Sequence, residues 1–341
     1  RARPAGRGPL RPEAPPVIVA RNVEEIALEG PLAASVGVFD GVHRGHRAVF
    51  DALRAEAARL GTPSLVVTFD PHPLTVLRPA AAPKLLTTPA ERVRLIGGSG
   101  PDAVLVHRFD RETADLSPAG FLERVVPPRA RLAALVIGHD FRMGKDRSGG
   151  FEELRALGGE RGFLVVRVGP SLEASEPISS SRIRTAIEEG RVGDAARLLG
   201  HDYVVEGTVV RGRGIGRTLE VPTANVDVGD ERKLLPGHGV YAAMVRILDR
   251  PGEPRPAVVN HGVRPTFGGG DPALEVHLLG FDGDLRGARL AVELVERIRE
   301  ERTFTRREDL VRRIGEDVEE ARRILRDRGR VSALAPPGDL C

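Results

Sequence analysis

Gly37-Val38-Phe39-Asp40-Gly41-Val42-His43-Arg44-Gly45-His46 is the stretch on which the reading of this chain turns. Ala33 to Phe39 has the apolar character of a buried strand, and Arg47 to Leu60 that of a helix stopped by Gly61. A glycine-bearing loop between strand and helix suits phosphate, because backbone N–H groups at a helix start favour anions. Gly41 and Gly45 let the chain turn tightly and let a phosphate approach the backbone. His43 and His46, three apart, can point to one side of the first helical turn. Two imidazoles there could donate to phosphate oxygens as negative charge builds in a transition state. The plain alternative is a βα turn that contains two histidines; the His-x-Gly-His spacing favours the nucleotide reading without naming a substrate.

Working outward, residues up to about 200 alternate strand-like and helix-like segments. Ser64 to Phe69, Ala103 to Val106, Leu132 to Ile137 and Phe163 to Val168 read as strands. Thr88-Pro89-Ala90-Glu91 has the form of a capping box, Ser117-Pro118 marks another helix start, and Phe151 to Gly158 reads as a helix. Such alternation predicts βαβ units and a parallel sheet. In open sheets of this kind ligands collect at the carboxyl ends of the strands. Thr68-Phe69-Asp70-Pro71-His72-Pro73 and Gly138-His139-Asp140-Phe141-Arg142-Met143-Gly144-Lys145 fall there, with His72 and His139 equally readable as loop-packing residues. Ile178-Ser179-Ser180-Ser181-Arg182-Ile183-Arg184 precedes another helix; its hydroxyls can cap that helix or meet phosphate, and Arg184 can supply a fixed cation.

The pattern changes near Gly200. Val204 to Arg211, Val240 to Ile247, Ala257 to Asn260, Leu274 to Leu279 and Arg289 to Ile298 are short strands between Gly and Pro clusters, which predicts a small antiparallel barrel or sandwich. Thr305-Arg306-Arg307-Glu308 reads as a second capping box, with Leu310, Ile314, Val318, Ala321 and Leu325 as one apolar helix stripe. The expected organisation is a tail at 1–16, a domain at 17–200, a second at 201–330 and a tail at 331–341. Within the second, Gly212 to Asn225 is glycine-rich and suits a flexible cover over phosphates, although such loops alone are weak evidence. Thr223 and Asn225, two apart, face one side of an extended segment and offer hard oxygens to Mg²⁺. Glu275 and His277 share a strand face opposite Leu274 and Val276. On the inner or rim face of a barrel Glu275 could accept a proton from an attacking hydroxyl; a solvated strand face is the plain reading.

Composition sets the bounds. At 341 residues two domains are the expectation, and 41% hydrophobic with 29% charged residues is ordinary for a globular chain. A net charge of +3 with interspersed acids, and 4% aromatic residues without Trp, argue against a nucleic-acid-tracking surface. The single Cys341 rules out an internal disulfide, no apolar run reaches the ~18 residues of a membrane span, and the start lacks a secretory apolar segment, so a cytoplasmic location is expected. The absence of an initiator Met reads as a processed or trimmed start.

Taken together, these motifs, with Arg264-Pro265-Thr266-Phe267, resemble those of the bacterial bifunctional riboflavin kinase/FMN adenylyltransferase (FAD synthetase) family from about Val17 to Arg328. The resemblance implies a nucleotidyltransferase-type α/β domain followed by a six-stranded riboflavin kinase barrel with a C-terminal helix. It implies that ATP is handled in adenylyl transfer by His43, His46, Ser180 and Arg184, with Gly37, Phe39, Asp40 and Gly45 also binding ATP. Asp70, Asp140 and Phe141 are the implied flavin neighbours. In the kinase half it implies Gly216, Thr223 and Asn225 for Mg-ATP and Glu275 as base. Riboflavin, FMN, FAD and ATP are the implied partners, with Mg²⁺, no nucleic acid, no membrane, and a monomer or weak homo-oligomer. Glu220 and Arg286 stand where relatives usually carry Gly and Tyr, and Ser181 replaces the usual Thr. They leave open an FMN adenylyltransferase with an impaired kinase; a flavin-sensing RNA-binding regulator is the other alternative.

Overall fold

The computed structural model describes residues 17–145, 148–211, 222–250, 252–263 and 272–330. The chain divides into two compact units. The first comprises the chain up to Phe39, His46–Ala82 and Val93–Pro170; the second comprises Asp40–Gly45, Pro83–Arg92 and the chain from Ser171 on.

The first unit is built on six strands, β1 (Ile18–Ala20), β2 (Gly30–Val36), β3 (Ser64–Asp70), β4 (Ala103–Arg108), β5 (Ala130–Gly138) and β6 (Leu164–Val168). Every pairing is parallel, in the order β1-β4-β3-β2-β5-β6. Leu65, Val66 and Val67 are all fully buried, as expected for a central parallel strand covered on both faces. Along the chain between these strands lie α1 (Arg44–Leu60), α2 (Pro73–Leu77), α3 (Pro89–Gly97), α4 (Arg111–Ala114), α5 (Pro118–Val125) and α6 (Phe151–Arg161), with residues 44–45 of α1 and 89–92 of α3 falling in the second unit. Two predicted caps form. Thr88 N–H donates to Glu91 Oε2 at 2.8 Å while Glu91 N–H donates to Thr88 Oγ1 at 3.3 Å, and Gly120 N–H donates to Ser117 Oγ at 3.1 Å. Strand β2 ends at Val36 rather than Phe39, because the chain turns into left-handed backbone at Phe39 (φ 51°). The short edge strand β1 carries too few residues for a legible period.

The second unit begins with a hairpin of β7 (Leu172–Glu173) and β8 (Glu176–Pro177), then α7 (Ser180–Glu188) and α8 (Val192–Leu199). Six strands follow, β9 (Tyr203–Val210), β10 (Ala224–Asp227), β11 (Gly239–Ile247), β12 (Arg255–Val263), β13 (Pro272–Leu278) and β14 (Arg289–Arg299). They close an antiparallel barrel in the order β10-β13-β12-β11-β14-β9, with β9 pairing β10. Val205, Tyr241, Val259, Leu274, Val276 and Leu290 help fill its interior.

Helix α9 (Arg307–Asp327) covers the outer barrel face, where Ala321, Ile324 and Leu325 pack on Val240, Ala242 and Met244. Of the expected stripe, Ala321 and Leu325 are buried and Val318 packs beside them, while Leu310 and Ile314 stay half-buried. The capping box expected at Thr305 does not form. The helix starts one residue later, with Arg306 at its N-cap and no side-chain cap, and Glu308 lies 3.7 Å from Arg306 instead. The helix is held at mid-length by Asp317, whose buried carboxylate accepts from Arg299 Nε at 2.9 Å and Nη2 at 2.7 Å. Asp317→Ala leaves Arg299 without its main partner in a site of low exposure, and one-sided loss of a buried pair costs about 3 kcal/mol. Urea unfolding of the variant should show that loss; a change under ~0.5 kcal/mol, typical of a surface substitution, would contradict it.

Candidate active site

The loop between β2 and α1 has an unusual backbone. Phe39 (φ 51°), Gly41 (φ 83°) and Val42 (φ 45°) are all left-handed. For a β-branched, fully buried Val42 that conformation is costly and persists only where the surroundings over-determine it. A Cβ at Gly41 would also stand 2.8 Å from the Leu86 side chain. Thr68 Oγ1 donates to Val38 O at 2.9 Å, and the Phe39 ring stacks edge-on against His46 at 5.3 Å and Phe50 at 4.8 Å. His43 is buried and immediately precedes α1; its ring lies where a Cβ on Gly45 would be 3.1 Å away, so glycine there permits the close approach. His46 is half-buried in the first turn.

Asp40 anchors this loop. Its carboxylate, 2% exposed, accepts from Leu86 N–H at 3.0 Å, Thr87 N–H at 2.9 Å and Thr87 Oγ1 at 3.0 Å. Arg184 Nη2 donates to it at 2.7 Å, while Arg184 Nε donates to Lys84 O at 2.8 Å. Gly41 N–H donates to Thr87 Oγ1, and His201 Nε2 donates to Gly41 O at 3.1 Å. Ser180 Oγ donates to Asp40 O at 3.1 Å from the first residue of α7, which Ser179 caps through Arg182 N–H. So Asp40, Ser180 and Arg184, 144 residues apart at the extremes, form one network. Thr87 and His201 are members that no local sequence pattern marks.

The loops after β3 and β5 follow the strands flanking β2, so all three leave the sheet at its carboxyl edge. Asp70 lies 3.6 Å from Arg21, and the exposed Asp140 lies 3.9 Å from His139 Nδ1. Phe141 packs partly into the first core. His72 is a structural cap, its Nδ1 accepting from Leu74 N–H at 3.1 Å.

In the barrel, Asn225 on β10 faces Glu275 on β13, which faces Asn260 on β12. Directly opposed residues share a face. The neighbouring row, Ala224, Val276 and Val259, points inward, so Asn225, Glu275 and Asn260 lie on the outer face rather than inside the barrel. All three are half-buried. His277, also outward, donates from Nδ1 to Pro222 O at 2.8 Å and so fixes the entry to Thr223. Asn260 escaped the sequence reading because register, not motif, brings it to Glu275. Gly216, Glu220 and Arg264-Pro265-Thr266-Phe267 lie outside the described residues. Arg286 is at the surface, its guanidinium held by Asp284.

Burial pushes the Asp40 carboxyl up, but Arg184, the Leu86 and Thr87 N–H groups and Arg92 outweigh it and hold it below the ordinary 3.8. A depressed carboxyl contributes stability that is present above the unfolded value and lost as pH falls through the folded one. Asp40→Asn should therefore be less stable than the parent at pH 7, with the difference shrinking once pH drops below 3.8. Urea midpoints of the two proteins across pH 3 to 7 check this; a difference independent of pH would contradict it.

Comparison with known proteins follows this division of sites. The FAD synthetase family model matches residues 26–182, and the riboflavin kinase model matches residues 199–325. The bifunctional riboflavin kinase/FMN adenylyltransferase of Escherichia coli K12 is 38% identical over 296 residues, covering 87% of this chain and 93% of the relative. That of Pseudomonas fluorescens is 40% identical over 290 residues, covering 85% and 91%. A crystal structure from Streptococcus pneumoniae titled as a macrolide-efflux protein superposes with a TM-score of 0.78 at 30% identity, over 90% of this chain and 99% of that one. Among the described residues, no helix is long and apolar enough to cross a membrane. With both family models matched in tandem and relatives this similar along nearly their whole length, the chain belongs to the bifunctional riboflavin kinase/FMN adenylyltransferase family.

Proposed function

We propose that this chain converts riboflavin to FMN and FMN to FAD, consuming one ATP in each step, and that the two transfers use different residues. The observation that carries the reading is that the two matched stretches hold different polar groups, one at the Asp40 loop and one on the barrel wall. The Asp40-centred loop begins in the FAD synthetase stretch, and the Asn225–Glu275–Asn260 row lies in the riboflavin kinase stretch. We assign residues 17–200 to adenylyl transfer and 201–330 to phosphorylation.

In the kinase step the ribityl 5′-hydroxyl attacks the γ-phosphorus of ATP, the bond to the bridging oxygen breaks, and ADP leaves. Glu275, half-exposed on the outer face, takes the hydroxyl proton. Asn260 lies directly opposite it on the neighbouring strand. ATP enters with its Mg²⁺; the Thr223 hydroxyl and Asn225 amide oxygen, both half-exposed at the start of β10, are hard donors suited to that cation.

In the adenylyl step an FMN phosphate oxygen attacks the α-phosphorus of a second ATP, and pyrophosphate leaves. The nucleophile is already an anion, so positioning and charge neutralisation matter more than a base. His43, His46, the N–H groups opening α1 and Arg184 supply donors and positive charge to the phosphates. Asp40 works from below: its carboxylate is enclosed, so it sets the loop and aims Arg184. Gly37, Phe39, Gly45 and Ser180 are assigned to ATP, and Asp70, Asp140 and Phe141 to the flavin.

His46→Ala should lower FAD formation from FMN by ~10²-fold or more, as for loss of a transition-state donor, with FMN formation from riboflavin within about twofold of the parent. Glu275→Ala should do the converse, lowering FMN formation by ~10²–10⁴-fold, the range for a general base. Chromatographic assay of both products on the same preparations checks this. Loss of both activities in either folded variant would contradict the assignment of separate residues.

A further inference from the structure

Lys233 follows β10 in the stretch matched by the riboflavin kinase model, yet its ammonium reaches the segment that holds Asp40. The residues concerned all belong to the second unit. The Lys233 side chain is fully buried. Its Nζ donates to Leu86 O at 2.6 Å, Val204 O at 2.7 Å and Glu91 Oε2 at 2.7 Å, which accounts for all three of its hydrogens. The Tyr203 ring lies 4.5 Å from it. Glu91 in turn accepts from Thr88 N–H and Glu206 N–H.

The acceptors share a pattern. Each peptide group from Lys84 to Thr87 has one end toward 232–234 and the other toward the Asp40 network. Leu85 N–H donates to Arg232 O at 2.7 Å and Leu85 O accepts from Leu234 N–H at 2.8 Å. Leu86 O accepts from Lys233, while Leu86 N–H and Thr87 N–H both donate to Asp40, and Lys84 O accepts from Arg184. The peptide groups that fix Asp40 and Arg184 are therefore themselves fixed by Lys233 and its neighbours. A buried ion pair is weak evidence for stability, since apolar residues of similar volume often do as well or better. Burial does lower the Lys233 ammonium from its ordinary 10.5, with Glu91 pulling the other way. What apolar residues of that shape cannot supply is three directed hydrogen bonds, one of them to Leu86 O.

We propose that Lys233 is a positioning residue for adenylyl transfer: it aims Arg184 and the loop at His43 through Leu86, Thr87 and Asp40, and touches no substrate itself. A residue of the kinase stretch thereby supports the chemistry of the adenylyl stretch. The inference rests on the two-activity reading above. It predicts that losing this strut misplaces phosphate-binding groups by a fraction of an ångström to an ångström, enough to cost adenylyl transfer ~10–10²-fold.

The test uses full-length Lys233→Met and, to remove the uncompensated acid, Lys233→Met/Glu91→Leu, each assayed for both reactions. Expected in both is a fall in kcat for FAD formation of ~10–10²-fold, with the KM for FMN and the rate of riboflavin phosphorylation within about twofold of the parent. The double variant removes the uncompensated acid: its melting temperature should rise above that of Lys233→Met, short of the parent because Thr88 and Glu206 N–H lose their acceptor, while FAD formation stays low. If the single variant does not fold, the double variant alone decides. FAD formation within about twofold of the parent in a folded variant, its recovery in the double variant, or parallel loss of both activities at intact fold would overturn the proposal. A parent that makes no FAD from FMN would instead overturn the underlying reading, and this inference with it.

Discussion

A single buried carboxylate ties the loop between β2 and α1 to residues 86–87 and to Arg184. Asp40 is enclosed, and its two oxygens collect donors from Leu86, Thr87 and Arg184. A buried anion is costly unless every lone pair is met, and here the partners also fix a loop carrying left-handed Phe39 and Val42. The energetic logic runs in one direction. The network permits the strained turn, the turn places His43 just ahead of α1 with His46 in its first turn, and Arg184 is locked by the same anion. The groups proposed to meet phosphate are thus preorganised, which is where electrostatic catalysis gains most.

The barrel solves a different problem. Its interior is filled with side chains, so chemistry must sit on the wall. Strand alternation commits Leu274, Val276 and Leu278 inward and leaves Glu275 and His277 outward. Register then adds Asn225 and Asn260 on either side of the acid. The opposite end of that wall is closed by α9, pinned by Arg299 and Asp317. One face of a small barrel is thereby divided between packing and a polar row.

Much of this was legible in the chain. Apolar runs separated by helical segments marked the parallel sheet, because strands buried on both faces need continuous Val, Leu and Ile. Thr88 and Glu91 announced a helix start that forms with both reciprocal bonds. The two-residue period placed Glu275 and His277 on one face. Long-range partners were not legible. Leu86, Thr87 and His201 meet the loop of Asp40 and Gly41 across 46, 47 and 160 residues, and backbone donors carry no side-chain signature. Lys233 ends the charged run Asp230-Glu231-Arg232-Lys233, in which nothing local foretells full burial. Asp40 itself read as a ligand contact by its place in the motif, whereas its geometry makes it a support. The cap at Thr305 failed for a smaller reason, a helix start displaced by one residue.

The central claim is that one chain performs two chemically different transfers from ATP. The most direct measurement is the balance of nucleotide products during a time course. Starting from riboflavin, FMN should appear before FAD, and each FAD should be accompanied by one ADP and one pyrophosphate. Starting from FMN, pyrophosphate should appear without ADP. FAD formed from riboflavin without ADP, or ADP released when only FMN is supplied, would contradict the two-transfer scheme.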